Sequence, residues 1–199
     1  VRVLGDQVWI GGSFLRAQGT NRPLVAAALR ESGAARPVPT GTDFNGGADN
    51  ALVLALAAEG SRLAVGGSME SFGGLVRSNA VAISTLTGEV LDWDPAPSAP
   101  VETFAFASGR VLLGGAFTRL GALEMDGLAA VDPVTGVPAP TWTFTASNHL
   151  GAVVVRSLAV SASPEGVFVG GQFDAVDGAA ARMLALVDVH TGQRLAFNA

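Results

Sequence analysis

The spacing between two glycine signals constrains this chain more than any other feature. Gly-Gly pairs begin at Gly11, Gly66, Gly114 and Gly170, and a Ser-Gly or Thr-Gly pair then ends at Gly33, Gly88, Gly136 and Gly192. Each of these later glycines stands 22 positions after the first glycine of its own pair. Successive Gly-Gly pairs are 55, 48 and 56 residues apart. Chance does not deliver four copies of one interval, so the chain is a tandem repeat. A period in this range belongs to solenoids and propellers, whose single units are too small to bury a core alone and must stack. The units run 1–50, 51–100, 101–153 and 154–199, and one cooperative array is expected from them.

Composition matters here mainly for what it excludes. Hydrophobic residues make up 49% and charged ones 15%, enough apolar material for a core built of Val, Leu and Ala. Net charge is -5, and the twelve basic residues are all Arg. No concentrated basic face is available, which argues against nucleic acid as a partner. With no cysteine, neither a disulfide framework nor a thiolate metal site can form. No apolar run approaches the roughly 18 residues a spanning helix needs. The chain begins at Val1 with no charged leader, so it reads as a piece of something longer.

Each unit opens with two short apolar runs about a tight turn, the pattern of a β-hairpin. In the first, Val1 to Leu4 turns at Gly5-Asp6 into Val8-Trp9-Ile10. The counterparts turn at Glu59-Gly60, Ser108-Gly109 and Pro164-Glu165-Gly166. The pairs Gly11-Gly12, Gly66-Gly67, Gly114-Gly115 and Gly170-Gly171 follow the second run directly. Glycine there marks a bulge or a close approach of other backbone. Phe14, Met69, Phe117 and Phe173 recur three positions after the first glycine and read as core anchors. A third strand is expected over 24–29, 80–83, 128–131 and 184–187. Asp132 and Asp188 close it in the last two units, placed to accept turn N–H groups while Gly136 and Gly192 supply positive φ. After the turn an aromatic returns at Phe44, Trp93, Trp142 and Phe197, expected to lead a fourth strand.

No helix fits runs of four to eight apolar residues bounded by glycine. The expectation is an all-β chain, a β-propeller of four repeats of about 50 residues with four-stranded blades. With no strand left over to pair the last blade with the first, an arc of a larger ring is expected, and it should self-associate through its uncovered end faces. A parallel β-helix is the alternative.

The lines 8–14 (VWIGGSF), 111–117 (VLLGGAF) and 167–173 (VFVGGQF), with Asp-x-x-Thr-Gly at Asp132 and Asp188 and the trailing aromatic, resemble the delta-60-type propeller repeat. That repeat occurs in large bacterial surface and secreted proteins, and similar units occur in fungal cortical-marker ectodomains. The second unit departs from the pattern, with Met69 for Phe and Ser84 for Asp. The resemblance implies an extracellular or cell-surface location and further blades of the same parent chain, and it carries no catalytic residue, metal ligand or cofactor. Residues 130–142, Ala-Val-Asp-x-x-Thr-Gly and then Trp, are similar to tryptophan-docking repeats of quinoprotein-like propellers, though those units are shorter and lack Gly-Gly-x-Phe.

Chemistry-bearing residues are few. Neither His149 nor His190 has a second histidine at ligand spacing, and zinc held by one His is implausible. Asp43 and Asn45 fit the first positions of a calcium loop, but Gly47 stands where a third ligand belongs, so a polar connecting loop is the better reading. Asp92/Asp94 and Asp174/Asp177 read as turn acids at different places in the unit. No structural calcium or zinc, no cofactor and no catalytic residue is expected. The function expected is a non-enzymatic scaffold or binding module recognising protein or carbohydrate at a cell surface. The alternatives are a lyase or hydrolase using acids on loop ends, or a structural spacer.

Overall fold

A computed structural model of the chain describes residues 1–17, 19–38, 51–162 and 165–196. These residues are all β, in many small sheets, with no helix among them. Each unit supplies one principal sheet in which the order in space follows the order in sequence. The strands are Arg2–Leu4, Gln7–Gly11 and Val25–Leu29, then Leu52–Glu59, Arg62–Ser68 and Ala80–Ser84. They continue with Val101–Ala107, Arg110–Gly115 and Leu128–Val131, then Val154–Ser161, Gly166–Gln172 and Leu184–Asp188. The ladders between these strands are antiparallel, which removes the parallel β-helix.

Register repeats as strictly as the glycine interval does. The first glycine of each pair faces the start of the third strand: Gly11 with Val25, Gly66 with Ala80, Gly114 with Leu128, Gly170 with Leu184. A shift in register recurs between Val53 and Ala55, Val101 and Thr103, and Val155 and Ser157. Each bulge puts one extra residue outside the ladder and bends the strand. The extra residues of the third and fourth units, Glu102 and Arg156, meet at 2.8 Å and tie those two units together.

Two expectations need correction. In the second unit Glu59 pairs with Arg62, so the loop is Gly60-Ser61, one residue later than the sequence reading. A two-residue hairpin loop of this hand needs positive φ at its first position, which Gly60 supplies at 57°. The fourth strand is also a remnant in most units. Among the described residues only Arg194–Leu195 forms one, against Val187 and Leu186. Elsewhere its place is held by single bridges, Ala28 to Ala35, Ile83 to Val90 and Val131 to Pro138. These lie between the turn glycine and the aromatic, so Trp93 and Trp142 follow the fourth strand and do not lead it. Pro138 explains one truncation, because proline has no N–H to give a ladder.

A short two-stranded ribbon precedes the third strand in every unit, as at Arg119–Leu120 with Leu123–Glu124. Two-residue strands leave no periodicity to read.

Among the described residues the core forms three clusters, one between each pair of consecutive sheets. Trp9, Val53, Leu63, Val65 and Ile83 join the first unit to the second. Trp93, Val101, Phe104, Val111 and Leu113 join the second to the third, and Leu112, Trp142, Val155, Val167 and Val169 join the third to the fourth. Alternation along each middle strand explains this. Leu63 and Val65 look back to the first unit while Ala64 looks on to the third.

Candidate functional site

The repeated residues build a junction between units. The N–H groups of Gly12, Gly67, Gly115 and Gly171 donate to the carbonyls of Leu24, Asn79, Gly127 and Met183. The N–H groups of those same four residues donate to the carbonyls of Phe14, Met69, Phe117 and Phe173. All four have positive φ, between 61° and 76°. Sequence reasoning missed this position, since only Gly127 and Asn79 are residue types that favour it.

Close approach accounts for the first glycine of the pair. A Cβ added at Gly66 would lie 2.5 Å from Phe104, and one at Gly114 would lie 2.6 Å from Val155, both side chains of the next unit. Gly11 faces Val53 of the second unit in the same way. Phe117, Phe173 and Met69 are buried against the preceding unit. Phe14 departs from the expectation of burial: it is only half buried, since no unit precedes it in the structure.

The turn glycine and the trailing tryptophan form the second half of the junction. Trp93 Nε1 donates to the Asp132 carbonyl at 3.0 Å and Trp142 Nε1 to the Val189 carbonyl at 3.1 Å, each in the turn of the following unit. The glycine in that turn lies beneath the segment carrying the tryptophan. Added Cβ atoms would meet Pro37 O at Gly88, Asp94 N at Gly136 and Thr143 O at Gly192, all at 2.5 to 2.9 Å. These three glycines are buried, with φ of 78° or 79°, so a side chain there would meet both strain and collision.

Asp132 and Asp188 hold the turn as expected of an acid at that place. Asp132 Oδ1 accepts from the N–H of Val134 and Thr135, at 2.9 and 2.7 Å, and from the Thr135 hydroxyl. Asp188 Oδ1 accepts likewise from His190, Thr191 and the Thr191 hydroxyl. The backbone donors hold the Asp132 carboxyl below its ordinary pKa. At Asp188 burial pushes the other way, and the hydrogen bonds from Thr191 and His190 outweigh it.

The remaining candidates do not converge. Asp174 accepts both the His149 backbone N–H and its Nδ1, and the backbone bond is the main cause of its lowered pKa. Asp177 accepts from the Arg194 N–H, while Asp92 and Asp94 flank Arg77 at 3.8 and 3.5 Å. His190 Nε2 meets Glu165 within its own unit at 2.7 Å. Among the described residues no three His, Asp or Glu side chains are grouped to hold a metal ion. Asp43, Asn45 and the aromatics Phe44 and Phe197 lie outside the described residues.

Two of the cavities that the described residues line bear on function. One of about 290 Å³ is lined by the first strand of every unit: Arg2 to Leu4, Ala57 and Ala58, Phe104 to Phe106, and Leu158 with Val160. Arg2 is its one charged lining residue, and its Nε donates to the Leu56 carbonyl. The other, of about 440 Å³, lies where the third and fourth units meet, between Leu150, Gln172, Asp174 and Met183. No helix of the described residues is long and apolar enough to cross a membrane.

No protein-family model and no curated protein matches the chain. Among solved structures, the computationally designed protein Ika8 is similar at 20% identity and a TM-score of 0.54, over 86% of this chain and 42% of the designed one. The computationally designed Ika4 is similar at 22% identity and a TM-score of 0.46, over 75% of this chain and 73% of its own. This chain thus spans less than half the length of Ika8. That likeness is one of fold alone.

Proposed function

We propose that the chain is an arc of β-propeller blades, one blade per repeat of the delta-60 type. It serves as a non-enzymatic scaffold or binding module of a secreted or cell-surface protein, recognising protein or glycan. The observation that supports this most is the cavity shared by the first strands of all four units. Sheets radiating from one axis require that arrangement, and a linear stack would give each first strand its own surface. The recurring polar contacts join unit to unit, which is the work of a scaffold. The shared cavity, lined by apolar side chains apart from Arg2 but exposing as much polar as apolar surface, is the surface such a module offers a ligand.

The test is a glycan array and a panel of cell-surface proteins probed with the folded chain. Val160 lines the cavity and is exposed, so Val160→Asp leaves the core untouched. It is expected to weaken the binding found by at least about tenfold with an unchanged thermal midpoint. Turnover of a polysaccharide, abolished by Asp174→Asn, would contradict this reading and establish the lyase or hydrolase alternative.

A further inference from the structure

The ladder pairs of the hairpins decide which backbone groups meet the shared cavity. Leu4 pairs with Gln7, Glu59 with Arg62 and Ala107 with Arg110, each across a two-residue loop. The pair closing such a loop exchanges hydrogen bonds, and bonded and unbonded residues then alternate along an antiparallel strand. Val3, Ala58 and Phe106, each one residue before the closing one, therefore turn their N–H and C=O away from their own sheet. Leu56 and Phe104, two residues further back, turn the same way. The first strand is the edge of each sheet, and none is a ladder neighbour of another. The Leu56 carbonyl shows where these edge groups face, since it accepts from Arg2 Nε of the first unit at 2.5 Å. A cavity lined by apolar side chains thus owes its polar surface to open strand edges.

Arg2 adds the one charge in the lining, and no carboxylate lines the cavity among the described residues. Its Nε–H is taken by the Leu56 carbonyl, which fixes the guanidinium plane. Among the described residues its two terminal amino groups have no hydrogen-bond partner. A guanidinium held in that way offers a carboxylate charge-assisted bonds in a set geometry. A bare carboxylate would leave the edge groups of Ala58, Phe104 and Phe106 unused. These come from separate strands, so an extended peptide could pair with only one of them. The hydroxyls of a sugar ring leave in several directions, and each can donate and accept. At about 290 Å³ the cavity is also small, at the lower end of the range for ligand sites. It suits a single ring better than a length of chain.

We propose that the ligand of this cavity is a sugar bearing a carboxylate, such as a hexuronate. Its carboxylate lies on the terminal amino groups of Arg2, and its hydroxyls meet the open edges of the second and third units. The proposal rests on the reading of the shared cavity as the binding surface, and it names the class of glycan.

Titration of the 199-residue chain with methyl glucuronide, methyl glucoside and acetate tests it by calorimetry. The glucuronide should bind at least about tenfold more tightly than either of the others, and less tightly as salt is raised. Arg2→Gln, at an exposed residue, should abolish that margin while leaving the glucoside affinity and the thermal midpoint unchanged. Val160→Asp places a carboxylate in the same cavity and should weaken the glucuronide more than the glucoside. Equal affinities for glucuronide and glucoside would overturn the proposal, as would a glucuronide indifferent to Arg2→Gln. Acetate bound as tightly as the glucuronide, or trialanine with a free carboxylate bound more tightly, would overturn the sugar. In each of those cases the cavity still binds, and its reading as the binding surface stands. Binding of none of these probes would overturn the proposal too, while the array and the protein panel decide separately whether the cavity is a binding surface.

Discussion

Phe117 and Phe14 occupy the same place in the repeat, yet Phe117 is fully buried and Phe14 only partly so. The difference follows from the neighbour, since this side chain packs on the unit before its own. Phe117→Ala should lower stability by about 3–5 kcal/mol, the usual cost of emptying a buried aromatic site. Phe14→Ala should cost less, about 1–3 kcal/mol, in line with its partial burial. Denaturant midpoints of the two variants check the contrast, and equal losses would remove the directional packing inferred here. Asp132 supplies a test of charge. A carboxyl whose pKa is lowered on folding adds stability that is complete above its unfolded value of about 4 and disappears as pH falls through the lowered folded value. Asp132→Asn keeps an acceptor for the turn N–H groups but no longer titrates. Its denaturant midpoint should therefore fall less than the parent's between about pH 5 and pH 3. Parallel curves for the two proteins would show that the carboxylate charge contributes nothing.

At the scale of the element, the informative contact is the tryptophan that crosses from one unit to the turn of the next. Trp142→Phe keeps the ring against Val167 and Val169 but removes the donor to the Val189 carbonyl. Because that carbonyl is then left without its partner in a buried place, the loss should be about 1–3 kcal/mol. A loss below about 0.5 kcal/mol, measured by chemical denaturation, would make the tryptophan an ordinary core residue. How much of each element was legible in the sequence follows from the chemistry of its residues. Hairpins and third strands were visible because alternating Val, Leu and Ala are punctuated by glycines at positive φ, such as Gly5 and Gly136. The Asp132 turn was visible because a carboxylate two residues before a free N–H has one common use. The fourth strand was not, since a single bridge at Ala35, Val90 or Pro138 needs no particular side chain. The left-handed residues Leu24 and Met183 were hidden as well, because a tertiary contact imposes a conformation their own chemistry disfavours. The direction in which Trp93 and Phe117 point was legible only as burial, since which neighbour they meet is a property of the assembled units.

For the whole molecule, the claim on which the rest depends is that the four sheets share an axis, with the first strands innermost. The cavity lined by all four of those strands supports it, and so do three cores between consecutive sheets. Stability in such an array is a sum over units and junctions, so an end unit with one junction is weaker than an inner unit with two. The chain has no cysteine, which makes paired spin labels simple to place. One pair would sit on the inner strands at Val3 and Val160, and a second on the outer edge at Ala35 and Gln193, all of them exposed. Labelled chain diluted into unlabelled chain leaves only distances within one molecule. Pulsed electron resonance should then give an inner distance markedly shorter than the outer one, as radial sheets require. Equal inner and outer distances would mean that the sheets are stacked in a line, and would contradict the account.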